Sequence, residues 1–370
     1  MVRGALAGVA GRQFLVPERT SHARVLFVTA PFGVAIIGYG LAGRIFHAPL
    51  VASVDGLKLR AIVSRRSREI LADHPGVTPC ASPDGVLRDP AVDLVVVATP
   101  NATHFELAAR ALAAGKHVVV DKPFTATAVQ ARELADRAES AGRMLSVFHN
   151  RRWDSDFRTL QRLMGDGTLG DITYFESRFD RFRPAVTDRW RERAGPASGT
   201  WYDLGSHLID QALLLFGRPS AVFADLAAQR PGAVTTDYFH VLLRYQQRRV
   251  VLAGSSLAPW SSLRLVAQGT LGSYVKHGFD PQEAFLRNGG KPGDAGFCHD
   301  PRPGVLVGPD GRETSPAAEK CDYRGYYEAL RDALAGRAAV PVPATDGIAV
   351  MDILEAAESS AAAHAEFLLP

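Results

Sequence analysis

Two short stretches carry side chains able to move a proton or hold a developing charge. In the first, Lys122 stands between Asp121 and Pro123, directly after the apolar run Val118–Val120. An ammonium held there can orient a hydroxyl and stabilise negative charge growing on its oxygen. A solvated loop lysine is the plain alternative. In the second, Asp203-Leu-Gly-Ser-His207-Leu-Ile-Asp210 spaces two carboxylates and an imidazole at offsets of four and three. These share one face if the segment is helical. Removing a hydride from a carbinol carbon leaves a hydroxyl proton, and histidine, with an ordinary pKa of about 6.5, can take it near neutral pH. A neighbouring carboxylate can orient the ring and stabilise its charged form. Two other readings of His207 stay open: a satisfied core histidine, or a metal ligand. The metal reading is disfavoured because no further His or Cys cluster completes a site.

Further candidates are arginines and aromatics. Asn150-Arg-Arg-Trp153 follows an apolar strand, Met144–Phe148, and makes Arg151, Arg152 and Trp153 substrate candidates; packing or ion pairing serves equally well. Arginines also crowd Glu176–Arg183 and Arg189–Arg193. Strand alternation puts Arg178 and Asp180 on one face, where pairing with each other is favoured over anion binding. His104 opens a helix after Thr99-Pro-Asn101, which places its imidazole near a bound cofactor.

The elements that must position these groups begin at Val34–Gly43 (V-A-I-I-G-Y-G-L-A-G). A compact apolar run reads as a buried parallel strand. Gly38, Gly40 and Gly43 then form a G-x-G-x-x-G turn into a helix opening at Leu41, a pattern suited to a dinucleotide pyrophosphate on a helix N-terminus. Alone the motif is weak, since glycine-rich turns are common. Leu57–Val63 reads as the second strand and ends at Ser64-Arg65-Arg66. NAD-specific folds carry an acidic residue about 20 residues past the glycines for the ribose 2′-hydroxyl. Here Ser64 and Arg65 suit a 2′-phosphate instead, which favours NADP, with NAD still possible.

The rest of residues 32–150 alternates strands and helices: a helix over Leu41–Ser53 that Pro49 should kink, strands at Asp93–Thr99, Val118–Val120 and Met144–Phe148, and helices at Ala102–Ala114 and Thr125–Ala141. This is a Rossmann-type, doubly wound parallel sheet, and its ligands bind beyond the carboxyl ends of the strands. Residues 151–370 read as an α+β domain with an open, mostly antiparallel sheet, built from runs between Ile172 and Lys276 and interrupted by a helix over Trp201–Phe216. Residues 277–320 read as a long surface loop, followed by helices at Tyr323–Leu334 and Gly347–Ala363.

Bulk properties limit the functional classes. In 370 residues, 46% are hydrophobic, 22% are charged, and the net charge is +3, ordinary for a globular protein of about two domains. No basic–aromatic patch suggests nucleic acid, and no apolar run reaches the roughly 18 residues a membrane span needs. Cys80, Cys298 and Cys321 are too scattered for a metal signature or disulfide framework, which fits a reducing cytoplasm. Residues 1–31 read as an N-terminal extension; a signal peptide is disfavoured because the apolar core is short and glycine-broken.

Taken together, the chain resembles the glucose–fructose oxidoreductase / inositol dehydrogenase (Gfo/Idh/MocA) family. The matching motifs are G-Y-G-L-A-G at 38–43, T-P-N-A-T-H at 99–104, D-K-P at 121–123, N-R-R-W-D at 150–154 and D-L-G-S-H-L-I-D at 203–210. Asp121, where the family more often has Glu, and Ser198-Gly199-Thr200 depart from its pattern. The resemblance implies a catalytic set of Lys122, Asp203 and His207, with Thr99, Asn101 and His104 along the cofactor. It implies a homodimer or homotetramer formed through the C-terminal sheet. Stretches 174–184 and 269–283 look like the NADP-preferring scyllo-inositol dehydrogenase branch, which brings Tyr274 towards the substrate. The expected substrate is a cyclic polyol or sugar. A non-catalytic NADP-binding regulator on the same fold is the alternative.

Overall fold

The structure is a computed structural model, and it describes residues 30–260 and 263–369. The expected N-terminal extension lies almost entirely outside the described residues.

Six parallel strands form the first sheet: β1 (Phe32–Ile37), β2 (Leu57–Val63), β3 (Thr78–Cys80), β4 (Leu94–Val97), β5 (His117–Val120) and β6 (Leu145–Val147). Their order is β3-β2-β1-β4-β5-β6, the doubly wound dinucleotide-binding order. The central strands are buried almost throughout, Leu94–Val97 completely, as strands covered on both faces must be. Register aligns their ends. Ile37 pairs with Val63 and with Val97, Val97 with Val120, and Val120 with Val147. One row of residues therefore closes the sheet, and the turns after residues 37, 63, 97, 120 and 147 all leave from the same edge.

Three short elements between Arg66 and Asp93 have weak sequence signals: a helix at Ser67–Asp73, β3, and a helix at Pro83–Arg88. Proline at the second helix's first position and Ser82, whose Oγ accepts from Asp84 N–H, mark its start. The expected kink near Pro49 is a π-turn over Gly43–His47, in which Ala48 N–H donates to Gly43 O. Proline has no N–H and its ring crowds the preceding turn, so a wider turn just before it is a physical outlet.

The second sheet has nine strands: β7 (Ile172–Arg178), β8 (Ala221–Ala227), β9 (Tyr238–Arg244), β10 (Arg249–Ser255), β11 (Leu263–Gly269), β12 (Ser273–His277), β13 (Val305–Val307), β14 (Glu313–Thr314) and β15 (Phe367–Leu368). Their order is β14-β13-β12-β11-β7-β10-β9-β8-β15. Among the described residues of this sheet, only the β7–β10 pair is parallel; the other pairs are antiparallel.

The expectation of a surface loop over 277–320 is corrected. β13 and β14 extend the sheet there, Gln282–Arg287 is helical, and Asp280, Gln282 and Phe297 are buried. Glycine, proline and charge masked strands of two and three residues. The last helix, Ala344–Ala363, packs on the Ala128–Ser140 helix and β6 as well as on β8 and the Ser206–Phe216 helix. Apolar residues around its whole circumference follow from those two-sided contacts. Among the described residues no helix is long and apolar enough to cross a membrane.

Candidate active site

The glycine turn is built for close approach. Gly38 leaves β1 at φ +109°, and a Cβ there would lie 2.3 Å from Ala98 O. A Cβ on Gly43 would lie 2.1 Å from Gly38 O, whereas one on Gly40 would meet nothing within 4 Å. Packing within the chain therefore demands the first and third glycines, and the middle one leaves bare backbone facing open space. That is the division of labour a dinucleotide pyrophosphate requires, so the residues present fit the cofactor. Leu41 is exposed and lines the adjoining crevice with Ala42 and Phe46.

At the end of β2, Ser64 Oγ accepts from Arg66 N–H at 3.2 Å, shaping the turn. Arg65 is exposed, and Arg66 pairs loosely with Glu69 at 3.5 Å. Thr99 is half-buried and accepts from Thr103 Oγ1 at 2.7 Å. Asn101 is buried and donates to Ala197 O at 2.9 Å, tying this turn to the segment just before Gly199.

His104 departs from expectation. Its ring is fully buried, with Nδ1 3.0 Å from Pro123 O and Nε2 2.9 Å from Thr99 O. Burial lowers its pKa, against Asp121 and these carbonyls. The imidazole bridges the turn at Thr99 and the turn at Pro123.

Beyond the carboxyl edge of the first sheet opens a cavity of about 340 Å³ lined by Lys122, Arg151, Asp203 and His207 among others. Lys122 precedes a cis peptide bond to Pro123. Its Nζ donates to Asp203 Oδ1 at 2.8 Å and to Asp203 O at 2.6 Å, across 81 residues of sequence. Asp203 belongs to a second π-turn, Trp201–Gly205, which runs straight into the Ser206–Phe216 helix. Gly205 is obligatory there, since a Cβ would lie 2.3 Å from the Trp201 ring. Asp203 also faces Arg191 at 3.2 Å and Arg181 at 3.9 Å. Burial opposes its charge, but Lys122, Arg191 and Arg181 overcome that and hold its carboxyl well below the usual range.

His207 is 6% exposed and lines the same cavity. Its ring stacks on Phe179 (6.3 Å, 25°) and meets His149 edge-on (6.5 Å, 80°). Burial, reinforced by Lys122, Arg151, His149 and Arg181, holds its pKa well below the ordinary value. A neutral imidazole at the wall of a cavity is a proton acceptor.

The expected orientation of this ring by a carboxylate is corrected: Nδ1 has no hydrogen-bond partner among the described residues, and the Asp203 carboxylate is spent on Lys122. Packing positions the ring. Asp210 likewise leaves the set. Arg152 holds it with two bonds, 2.9 Å from Nε and 2.6 Å from Nη2, and also binds Asp346 at 2.8 Å.

The four substrate candidates separate. Arg151 lines the cavity, pairs with Asp154 and Glu283, and lies 4.8 Å over the Phe179 ring. Arg152 lines a smaller, different cavity with Asp210 and Asp346. Trp153 packs edge-on against Tyr326 at 5.6 Å and presses on Gly325. Tyr274 is 1% exposed and abuts Gly304. Neither Trp153 nor Tyr274 lines the cavity; both make packing contacts instead.

Arg178 binds Asp180 at 2.8 Å and Glu176 at 2.9 Å, the mutual pairing expected of that strand face. The site also uses residues the motifs did not single out: Arg181 and Arg191 on Asp203, Phe179 under His207, and Glu283 on Arg151. The arginine crowding was the visible signal. What it lacked was the return of this segment over the crevice. Among the described residues, no group of three or more His, Cys, Asp or Glu side chains is placed to hold a metal ion.

Comparison with known proteins agrees with this geometry. Residues 32–149 match the oxidoreductase family, NAD-binding Rossmann fold, and residues 161–365 match the oxidoreductase family, C-terminal alpha/beta domain. The chain is 52% identical over 343 residues to the uncharacterized oxidoreductase YdgJ of Escherichia coli, covering 91% of this chain and 98% of YdgJ. It is 41% identical over 332 residues to the scyllo-inositol 2-dehydrogenase (NADP(+)) IolW of Bacillus subtilis, covering 88% and 93%. Among solved structures, YPO2259 from Yersinia pestis superposes with a TM-score of 0.88 at 45% identity, covering 92% of this chain and 98% of that one. The chain is a member of the Gfo/Idh/MocA family of oxidoreductases, with an NAD(P)-binding Rossmann domain.

Proposed function

We propose that this protein is an NADP-dependent dehydrogenase acting on a secondary alcohol of a cyclic polyol or sugar. The observation that carries the reading is the junction of Lys122 and Asp203 at 2.8 Å beside a buried His207, all on one cavity at the carboxyl edge of the parallel sheet. A bound nicotinamide supplies the hydride acceptor, or the donor in the reverse direction. Gly38, Gly40 and Gly43 would hold its pyrophosphate, and Ser64 and Arg65 the 2′-phosphate. The chain's own residues do the proton chemistry. His207, kept neutral by burial, accepts the hydroxyl proton. Lys122, locked in place by two bonds to Asp203, stabilises the oxygen as its proton leaves.

The similarity to IolW, whose name specifies scyllo-inositol and NADP(+), supports both the substrate class and the cofactor. A relative named scyllo-inositol 2-dehydrogenase (NAD(+)), 28% identical over half of this chain, keeps NAD in the comparison.

The test is turnover of inositols, aldoses, uronates and sugar phosphates followed by nicotinamide absorbance, with NADP and NAD in parallel. The reading expects oxidation of at least one secondary alcohol with NADP preferred. Cofactor binding without turnover of any panel member would favour a regulatory protein on the same fold.

A further inference from the structure

The cavity wall is unevenly charged. Eight basic side chains line it against four carboxylates, Asp121, Asp203, Glu192 and Glu283. The carboxylates are already committed. Glu283 binds both Arg151 and Arg287. Glu192 lies 3.6 Å from Arg230, whose nearer partner is Asp237 at 2.9 Å. Asp203 alone faces Lys122, Arg191 and Arg181. Arg183 and Arg189 have no acidic partner among the described residues, yet both line the cavity. Arg181 is pulled down to about 10, first by burial and then by Arg183 and Arg151, against Asp203. Arg183 and Arg189 are exposed where they border the cavity, so their guanidiniums can meet an anion as it enters.

The segment bearing these arginines is braced. Arg183 N–H donates to Ser256 O at 2.7 Å. Buried Arg230 donates to Arg183 O and Ala185 O, both at 3.1 Å. Glu192 accepts from Thr187 N–H at 2.6 Å. Arg230 is thus consumed in holding the loop, while Arg183 and Arg189 present exposed guanidiniums with no acidic partner among the described residues. Guanidinium forks match carboxylate and phosphate oxygens.

We propose that the substrate is an acidic sugar or polyol: a monosaccharide-sized secondary alcohol bearing a carboxylate or phosphate, which Arg183 and Arg189 bind while Lys122 and His207 address the reacting hydroxyl. This rests on the alcohol-dehydrogenase reading above and narrows its substrate class.

The test is calorimetric binding of glucuronate, glucose 6-phosphate and glucose to the full chain saturated with NADP or NAD, whichever binds more tightly. The wild type is compared with the double variant Arg183→Ala/Arg189→Ala. The expected result is that at least one acidic sugar binds about ten-fold or more tightly than glucose, the scale of one charge-assisted hydrogen bond. The variant should lose most of that preference. Equal affinity for acidic and neutral sugars, or no binding of any of them, overturns the proposal. So does a preference that survives in the variant. If the variant instead weakens the dinucleotide ten-fold and no acid preference exists, the arginines serve the cofactor's phosphates and the proposal also fails. Turnover of the same sugars is read separately: selective binding of an acidic sugar without oxidation of any alcohol would sink the dehydrogenase reading and leave the anion site standing.

Discussion

The two ends of the crevice are assembled by different means. At the cofactor end, six consecutive residues, Gly38–Gly43, do the work with backbone, and the two glycines that packing demands lie against neighbouring carbonyls. At the proposed reacting end, side chains from three separate stretches converge: Lys122 after β5, Asp203 and His207 around a π-turn, and Arg181 and Arg191 from the segment beyond β7. The first end depends on what is missing, namely Cβ atoms. The second depends on what is paired, because Asp203 is shared by three cations. The lesson is one of tolerance. A backbone site fails when an atom is added, and a side-chain site fails when one is removed.

Substitutions at the two ends test this contrast. The largest effect is expected at the reacting end. Lys122→Ala and His207→Ala should each lower kcat by about 10²-fold or more, the scale of general acid–base catalysis, with dinucleotide affinity retained in a fluorescence titration. Full turnover in both variants would remove these residues from the chemistry. Next come the glycines. Gly43→Ala should destabilise the fold by about 2 kcal/mol or more, through a Cβ 2.1 Å from Gly38 O, and lower Tm. Gly40→Ala should leave Tm nearly unchanged while weakening dinucleotide binding. If both alanines behave alike in both measurements, the division of labour among the glycines is wrong.

A smaller effect belongs to Arg65→Ala, expected to raise Kd for NADP about ten-fold and to leave Kd for NAD much less affected. Equal losses would show that Arg65 does not read the 2′-phosphate.

The mildest prediction concerns pH. His104, His149 and His207 are buried with lowered pKa values, burial being the first cause of each. The unfolded chain therefore binds more protons than the folded one just below the ordinary histidine pKa. Stability should be fully present above about pH 6.5 and decline as pH falls below it. Denaturant melts from pH 7.5 to 5 would check this; a flat Tm through that window would contradict it.

Much of the fold was legible because its signals are local. Leu94–Val97 and His117–Val120 are short buried runs that announce parallel strands, and Gly38–Gly43 announces the turn between strand and helix. Elements with few residues were not legible. β13 and β14 have three and two residues, gain their order from neighbouring strands, and sit in a glycine- and proline-rich stretch that reads as loop. Individual site residues were harder still. His104 and Tyr274 have the chemistry of site residues and the burial of packing residues, and the difference lies in which way a neighbouring segment runs. Asp203 and Asp210 carry the same carboxylate on the same helical segment. One meets Lys122 and the other Arg152, because the π-turn and the returning chain present them to different partners.

The parallel sheet, the dinucleotide turn and the inventory of Lys122, Asp203 and His207 can be read from residue order, since apolar runs, glycine spacing and residue type need no distant partner. How those residues are used follows from the folded arrangement. It spent Asp203 on Lys122 instead of the imidazole and neutralised His207 by burial. It also swung Arg181 and Arg191 over the crevice beside Arg183 and Arg189. Each of these is a property of distances across more than one element, set by packing and desolvation, on which a linear order of residues is silent.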